Sequence, residues 1–183
     1  MSAKTDPVAS ATPDTPITNF SQCHVGIIGH LDALAQLPAL LAPAVRARKL
    51  AGDMLAFFDA VILDHHEEEE RELFVAVMKS AVPGPERDHV KTMVDRLTVE
   101  HRTIEDWWAR IKPQLKQIAK GHDTPFDTQA LEQLVKQYRA HAQYEEAEFL
   151  PLSQAILGRD ANHMAALGLS LHMRHAKPVP GYV

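Results

Sequence analysis

Three segments of this 183-residue chain pair a histidine with a glutamate four positions later. They are His65 and Glu69 in "HHEEEERELF", His101 and Glu105 in "EHRTIEDWW", and His141 and Glu145 in "HAQYEEAEFL". On an α-helix, residues four apart lie about 40° apart around the axis and one turn apart along it, so each pair aims an imidazole and a carboxylate the same way. Such nitrogen and oxygen donors suit iron or manganese, and zinc as well. The first and third segments are copies of one pattern: His, three residues, Glu-Glu, two residues, then two bulky apolar residues. The repeat matches Glu70 with Glu146, Leu73 with Phe149 and Phe74 with Leu150; the second segment is a partial copy.

All three pairs fall on apolar stripes. Phe58, Val61 and Ile62 precede His65 on its side of a helix, and Leu73 follows; Ile104 and Trp108 share the face of His101; Leu134 and Tyr138 precede His141, with Phe149 and Leu152 beyond Glu145. The pairs are therefore expected to point into a core. A lone buried carboxylate costs several kcal/mol, in order of magnitude, unless it is paired or bound to a metal. Three converging pairs call for a cation. A histidine from an earlier helix would complete the set, and periodicity leaves two choices. His24 shares a stripe with Phe20, Ile27, Ile28 and Leu31, while His30 shares one with Leu34, Leu37 and Leu41. One ligand from the first helix and two from each of three others can serve two metals, because a carboxylate can bridge through its two oxygens.

The elements that must position these donors are helices. Apolar residues recur at three and four rather than alternating, and the segments contain few turn signals. A first helix is predicted from Thr18 or Asn19, weakening at Pro38 to Pro43. A second runs from about Ala44 to Ser80, ended by "PGP" at 83–85. A third runs from about Glu86 to Lys120, with Pro113 a candidate kink, and a fourth from an Asp127 or Thr128 cap to about Leu157. Short loops between long helices force them antiparallel. The expected architecture is all-α, an up-down-up-down four-helix bundle over 20–177, with a short fifth helix near 160–175. Tails at 1–19, disordered by composition, and at 178–183 flank it.

Composition removes other classes. The net charge of −5 does not suit a nucleic-acid partner. No apolar run approaches the roughly 20 residues that span a bilayer, so no membrane is expected. The start of the chain lacks the apolar stretch of a secretory signal, and the single cysteine, Cys23, fits a reducing compartment. The expected location is cytoplasmic.

The quoted segments, together with "CHVGI" at 23–27 and "YRAHAQYEEAEFLPL" at 138–152, resemble the hemerythrin-like, or HHE cation-binding, family of four-helix bundles. The resemblance spans nearly the whole chain. It implies a non-haem centre of two iron ions, bridged by carboxylate and oxo groups, that binds O2 or a related ligand such as NO or peroxide. It also implies His24 as the first-helix ligand, because His24 follows the cysteine of the motif. His65, Glu69, His101, His141 and Glu145 carry over by position. The chain departs from the pattern at Glu105, where the hemerythrin pattern has a second histidine; a carboxylate there would favour oxidation, tighter iron retention or another metal such as manganese or zinc. Glu146 is the alternative to Glu145 as the bridging group.

The remaining candidates read as structural. His66, Glu67, Glu68 and Glu70 are expected on the solvated face around the inward pair. His89, His122, His163, His172 and His175 are expected at the surface, and Trp107 and Trp108 in the core. Glu105 has a second reading, as a partner hydrogen-bonded to a ligand. A ferritin-like oxidase uses Glu-x-x-His on two helices, whereas the one such motif here, Glu86–His89, is not repeated. The chain therefore reads as a binding protein for sensing, storage or delivery rather than an enzyme. A di-iron oxidase or peroxidase, and a regulatory scaffold with a degenerate site, are its rivals.

Overall fold

Every element among the described residues is helical. The computed structural model describes residues 16–160, with side chains from His24 onward; most of the N-terminal tail, the fifth segment and the C-terminal tail expected from sequence lie outside these. Helix α1, Pro16–Ala35, opens on a proline, which fits a first turn whose N–H groups have no helical acceptor. It therefore starts slightly before Thr18. Helix α2, Leu37–Phe57, follows a one-residue break at Gln36 and carries Pro43 inside it. The expected weakening at Pro38 to Pro43 is thus displaced to Gln36, where the Gln36 N–H bonds to Ala33 O and the Ala39 N–H to Gln36 O, both at 3.1 Å.

From Phe57 the chain stays helical to Ser80 but changes pitch twice. A π turn, π1 (Phe58–Ile62), leads into α3 (Leu63–Glu68); a second, π2 (Glu69–Leu73), leads into α4 (Phe74–Ser80). Ala81 is extended, and Gly84 takes φ 103°, a conformation open to glycine, before Pro85 starts α5 (Pro85–Ala119). The Val82 N–H donates to the Glu86 carboxylate at 2.6 Å, which ties the turn to the helix it precedes. Pro113 lies within α5 without ending it. Asp127 caps α6 (Thr128–Tyr144), its side chain accepting from the Ala130 N–H at 2.9 Å. A third π turn, π3 (Glu145–Phe149), passes into α7 (Leu150–Leu157).

The chain divides into two units at Arg46 and Ala47. In the first, the described residues comprise α1 and the start of α2, and every side chain described is exposed, including the apolar Val25, Ile28, Leu31 and Leu34. The expectation that no segment spans a bilayer rests on unbroken apolar runs, and a window average gives a different result here. The helical stretch from His24 contains a window of mean hydropathy 1.5 with at most two charged residues, sufficient by length and composition to cross a membrane. His30, Asp32, Pro38 and Pro43 break any unbroken run, but a window average absorbs them.

In the second unit three long helical stretches alternate in direction. Phe58 stacks on Trp108 and His66 on His101, so residue numbers rise on one helix as they fall on the next. Tyr144 lies under Arg96 and Asp127 beside Arg110, giving the same relation between α5 and the α6–α7 stretch. The apolar core is in two parts. One gathers Phe58, Ile62, Ile104, Trp108, Ile111, Ala130 and Leu134; the other gathers Phe74, Val77, Val90, Met93, Leu97, Phe149, Ile156 and Leu157. Between them on all three stretches lies a layer of histidine and glutamate.

Candidate metal centre

The polar layer contains His66, Glu69, His101, His141 and Glu145, none more than 6% exposed. Two sets of donor atoms form within it. The ring nitrogens of His66, His101 and His141 lie within 4.8 Å of one another, and so do donor atoms of His65, Glu69 and Glu145. Glu69 joins the two sets. Its carboxylate lies 3.2 Å from His65 Nε2 on one side and 3.3 Å from His101 Nε2 on the other. Glu145 Oε2 lies 3.8 Å from His141 Nε2. The imidazoles pack tightly: His66 stacks on His101 at 4.0 Å, and His141 meets His101 edge-on at 4.8 Å.

Each buried histidine is held from its outer nitrogen. His66 Nδ1 donates to Glu105 at 3.2 Å, His101 Nδ1 to Glu70 at 2.8 Å, and His141 Nδ1 to Glu100 at 3.2 Å. An ionised carboxylate only accepts hydrogen bonds, so each Nδ1 carries its proton and each Nε2 is turned inward. This is the carboxylate–histidine arrangement that orients imidazoles toward a metal. The buried side-chain nitrogens and oxygens lacking a hydrogen-bond partner among the described residues are His66 Nε2, His101 Nε2, Glu69 Oε2 and Glu145 Oε1. All four belong to this layer. Buried polar atoms are paired as a rule, and their coincidence here fits a cation.

The electrostatics agree. Burial, reinforced by the charge of His101, pushes His66 down to about 4. Burial also lowers His141, with His101 again contributing. For His101 burial works in the same direction but is outweighed by the Glu69 and Glu70 carboxylates, so it is raised. The two carboxylates divide: burial and the neighbouring Glu69 push Glu145 up to about 9, while Glu69, despite its burial, is held low beside His101 and His65. Without a metal, burial beside Glu69 favours the neutral form of Glu145, and the adjoining carboxylates favour the charged form of His101.

A cavity of about 450 Å³ reaches this layer, lined by His65, Glu69, Tyr138, His141 and Glu145 among others. The arrangement can hold cations by His66, His101 and His141 through nitrogen, and by His65, Glu69 and Glu145, with room for a small molecule alongside.

Several sequence expectations change here. His66 was expected in solvent and is 1% exposed, while His65, expected inward, is only half-buried. The cause is π1. The extra residue in a π turn rotates everything after it, so the buried face runs Phe58, Ile62, His66, Glu69 rather than through His65. Glu68 is likewise buried rather than solvated, and Glu70 is bonded to His101, whereas Glu67 is exposed as expected. Glu105, expected as a ligand, sits at the outer nitrogen of His66, as its second reading had it. Glu145 faces inward and Glu146 is exposed. His24 and His30 belong to the first unit, where their side chains are exposed. His89 and His122 are exposed, and Trp108 is in the core; His163, His172 and His175 lie outside the described residues. Glu100 was not singled out from sequence. Its signal would have been its place directly before His101, where it meets the next helix rather than its own.

The chain is similar to an uncharacterized protein of Haemophilus influenzae, at 25% identity over 168 residues, which is 88% of this chain and 94% of the relative. No solved structure matches it. The model of the hemerythrin HHE cation-binding domain matches residues 15–153, which include every donor described above. By that match, and by a buried layer of histidine and glutamate built to hold a cation, this chain belongs to the hemerythrin HHE cation-binding family.

Proposed function

We propose that the protein holds a non-haem di-iron centre and through it binds dioxygen or a related small ligand, nitric oxide or peroxide, for sensing, storage or delivery. The observation that supports this most is the set of four inward donor atoms that make no hydrogen bond, on His66, His101, Glu69 and Glu145, in a layer with apolar residues on both sides. Two neighbouring donor sets, with Glu69 of one lying 3.3 Å from His101 of the other, favour two ions over one. A pair of iron ions there would supply redox chemistry toward a small oxidant. The chain's own contribution would be to orient the donors, keep bulk water out and leave the cavity beside His65 for the ligand. In this reading the fold is completed as a four-helix bundle, and His24 adds the ligand of the N-terminal helix; the family resemblance carries both points.

The test is metal content together with the visible spectrum of protein purified under reducing conditions and then exposed to air. About two iron ions per chain, with oxo-bridged di-ferric bands that fade on deoxygenation, are expected. One zinc, or no metal and no spectral change, refutes the reading. Bands that form in air but do not fade indicate oxidase chemistry instead.

A further inference from the structure

The carboxylates that hold the three buried histidines are themselves held, and by arginines. Arg96 Nε donates to Glu100 at 2.7 Å, supporting His141 alone. Arg102 does more. One arm, Nη1, reaches both oxygens of Glu105 at 2.8 Å, and the other, Nη2, donates to Glu70. Glu105 holds His66 from α3, and Glu70 holds His101 from α5. A single guanidinium thus closes two relays, Arg102–Glu105–His66 and Arg102–Glu70–His101, onto the two imidazoles that stack at 4.0 Å.

We propose that Arg102 is a positioning residue for the metal centre, fixing the Nδ1 partners of two ligands at once so that both Nε2 atoms present to the same ion. This rests on the metal-centre reading above. Arg102 is 54% exposed and touches no donor atom directly, so as an isolated ion pair it would contribute little. Its effect comes from geometry. Glu70 and Glu105 are each about a quarter exposed and, once released, can turn to solvent. The planar fork spans two carboxylates on two helices, a geometry the single ammonium of lysine does not reproduce. Outer partners of metal-bound histidines commonly change affinity by about 10–100-fold, and Arg102 governs two of them.

The test is cobalt(II) titration, followed by visible absorption, of the wild-type protein, R102Q, R102K and R71Q, with melting of each metal-free protein alongside. Arg71 lines the same surface depression as Arg102 but pairs with Glu67 and Glu72, so R71Q removes equal charge without touching either relay. Expected are an affinity lower by about 10–100-fold and altered ligand-field bands for R102Q, partial recovery for R102K, and wild-type behaviour for R71Q. Adding R102Q to an E70Q/E105Q protein should cause no further loss, because the relays are already cut. Equal cobalt affinity and spectrum in R102Q and wild type, or an equal loss in R71Q, overturns the clasp while leaving the centre intact. A wild-type protein that takes up no cobalt overturns the centre and the clasp with it.

Discussion

His66 and His101 stack with their rings 4.0 Å apart and 5° from parallel, although they come from helices of opposite direction. Two imidazoles at that distance cannot both be charged cheaply, and the layer avoids it. The Glu69 and Glu70 carboxylates raise His101 against its burial, while burial and the neighbouring His101 push His66 down to about 4. A cation bound between them would supply positive charge at that place without charging both rings.

The first prediction follows from their inward nitrogens. His66→Ala is expected to weaken metal binding by more than the roughly 100-fold that loss of an outer partner causes, because it removes a donor from the fully buried set. His65→Ala, at the half-exposed edge, should cost less and mainly affect a second equivalent of metal. Isothermal titration of both variants checks this. A larger loss in His65→Ala would restore the sequence-based assignment and count against the register described here.

Metal should also stabilise the fold, since the layer exists only in the folded chain. At a free metal concentration 100 times the dissociation constant, the gain is about 2.7 kcal/mol. Thermal melts with and without iron(II) or zinc measure it, and a chelator should reverse it. An unchanged melting temperature at saturating metal contradicts the assignment.

The pH dependence follows from Glu145. Its carboxyl is pushed up to about 9 in the folded protein from an ordinary value of 4.5. A group raised on folding contributes stability below its unfolded pKa and loses it as pH climbs toward the folded one. In the metal-free protein this contribution is therefore complete below about pH 4.5 and is withdrawn between there and pH 9. Metal binding near pH 7 should release this proton, seen as a binding heat that depends on the buffer. Glu145→Gln, neutral at every pH, should flatten that part of the stability profile while impairing metal uptake. A metal-free Glu145→Gln protein with the wild-type profile would show that Glu145 is not the protonated group.

The apolar seals can be tested separately. Phe149 is fully buried, meets Phe74 edge-on at 5.1 Å and sits directly beyond Glu145. Phe149→Ala is expected to cost about 3–5 kcal/mol of stability, measured by chemical denaturation. A cost below 1 kcal/mol would mean that the core on this side collapses around the lost ring.

Much of this was legible in the sequence because helical period is a local property. On α5 the buried residues Val90, Met93, Leu97, His101, Ile104, Trp108 and Ile111 keep an unbroken three-four spacing, and periodicity finds His101 directly. The Asp127 cap, the stop before Pro85 and the inward His141 and Glu145 are equally local, since π3 begins only at Glu145. The repeat even extends to the pitch, as matched Glu69 and Glu145 each open a π turn.

What the sequence determined by itself, then, is an all-helical chain with histidine and glutamate set at one level of three helices, because side-chain type and local spacing decide that much. Only the tertiary structure decided which of two adjacent histidines turns inward. Constant-pitch counting puts His65 on the core face, and π1 turns the face to His66. Tertiary structure also decided that Glu105, Glu70 and Glu100 act at the outer nitrogens, two of them under one arginine. Those contacts join residues more than 30 positions apart, and no local period encodes them.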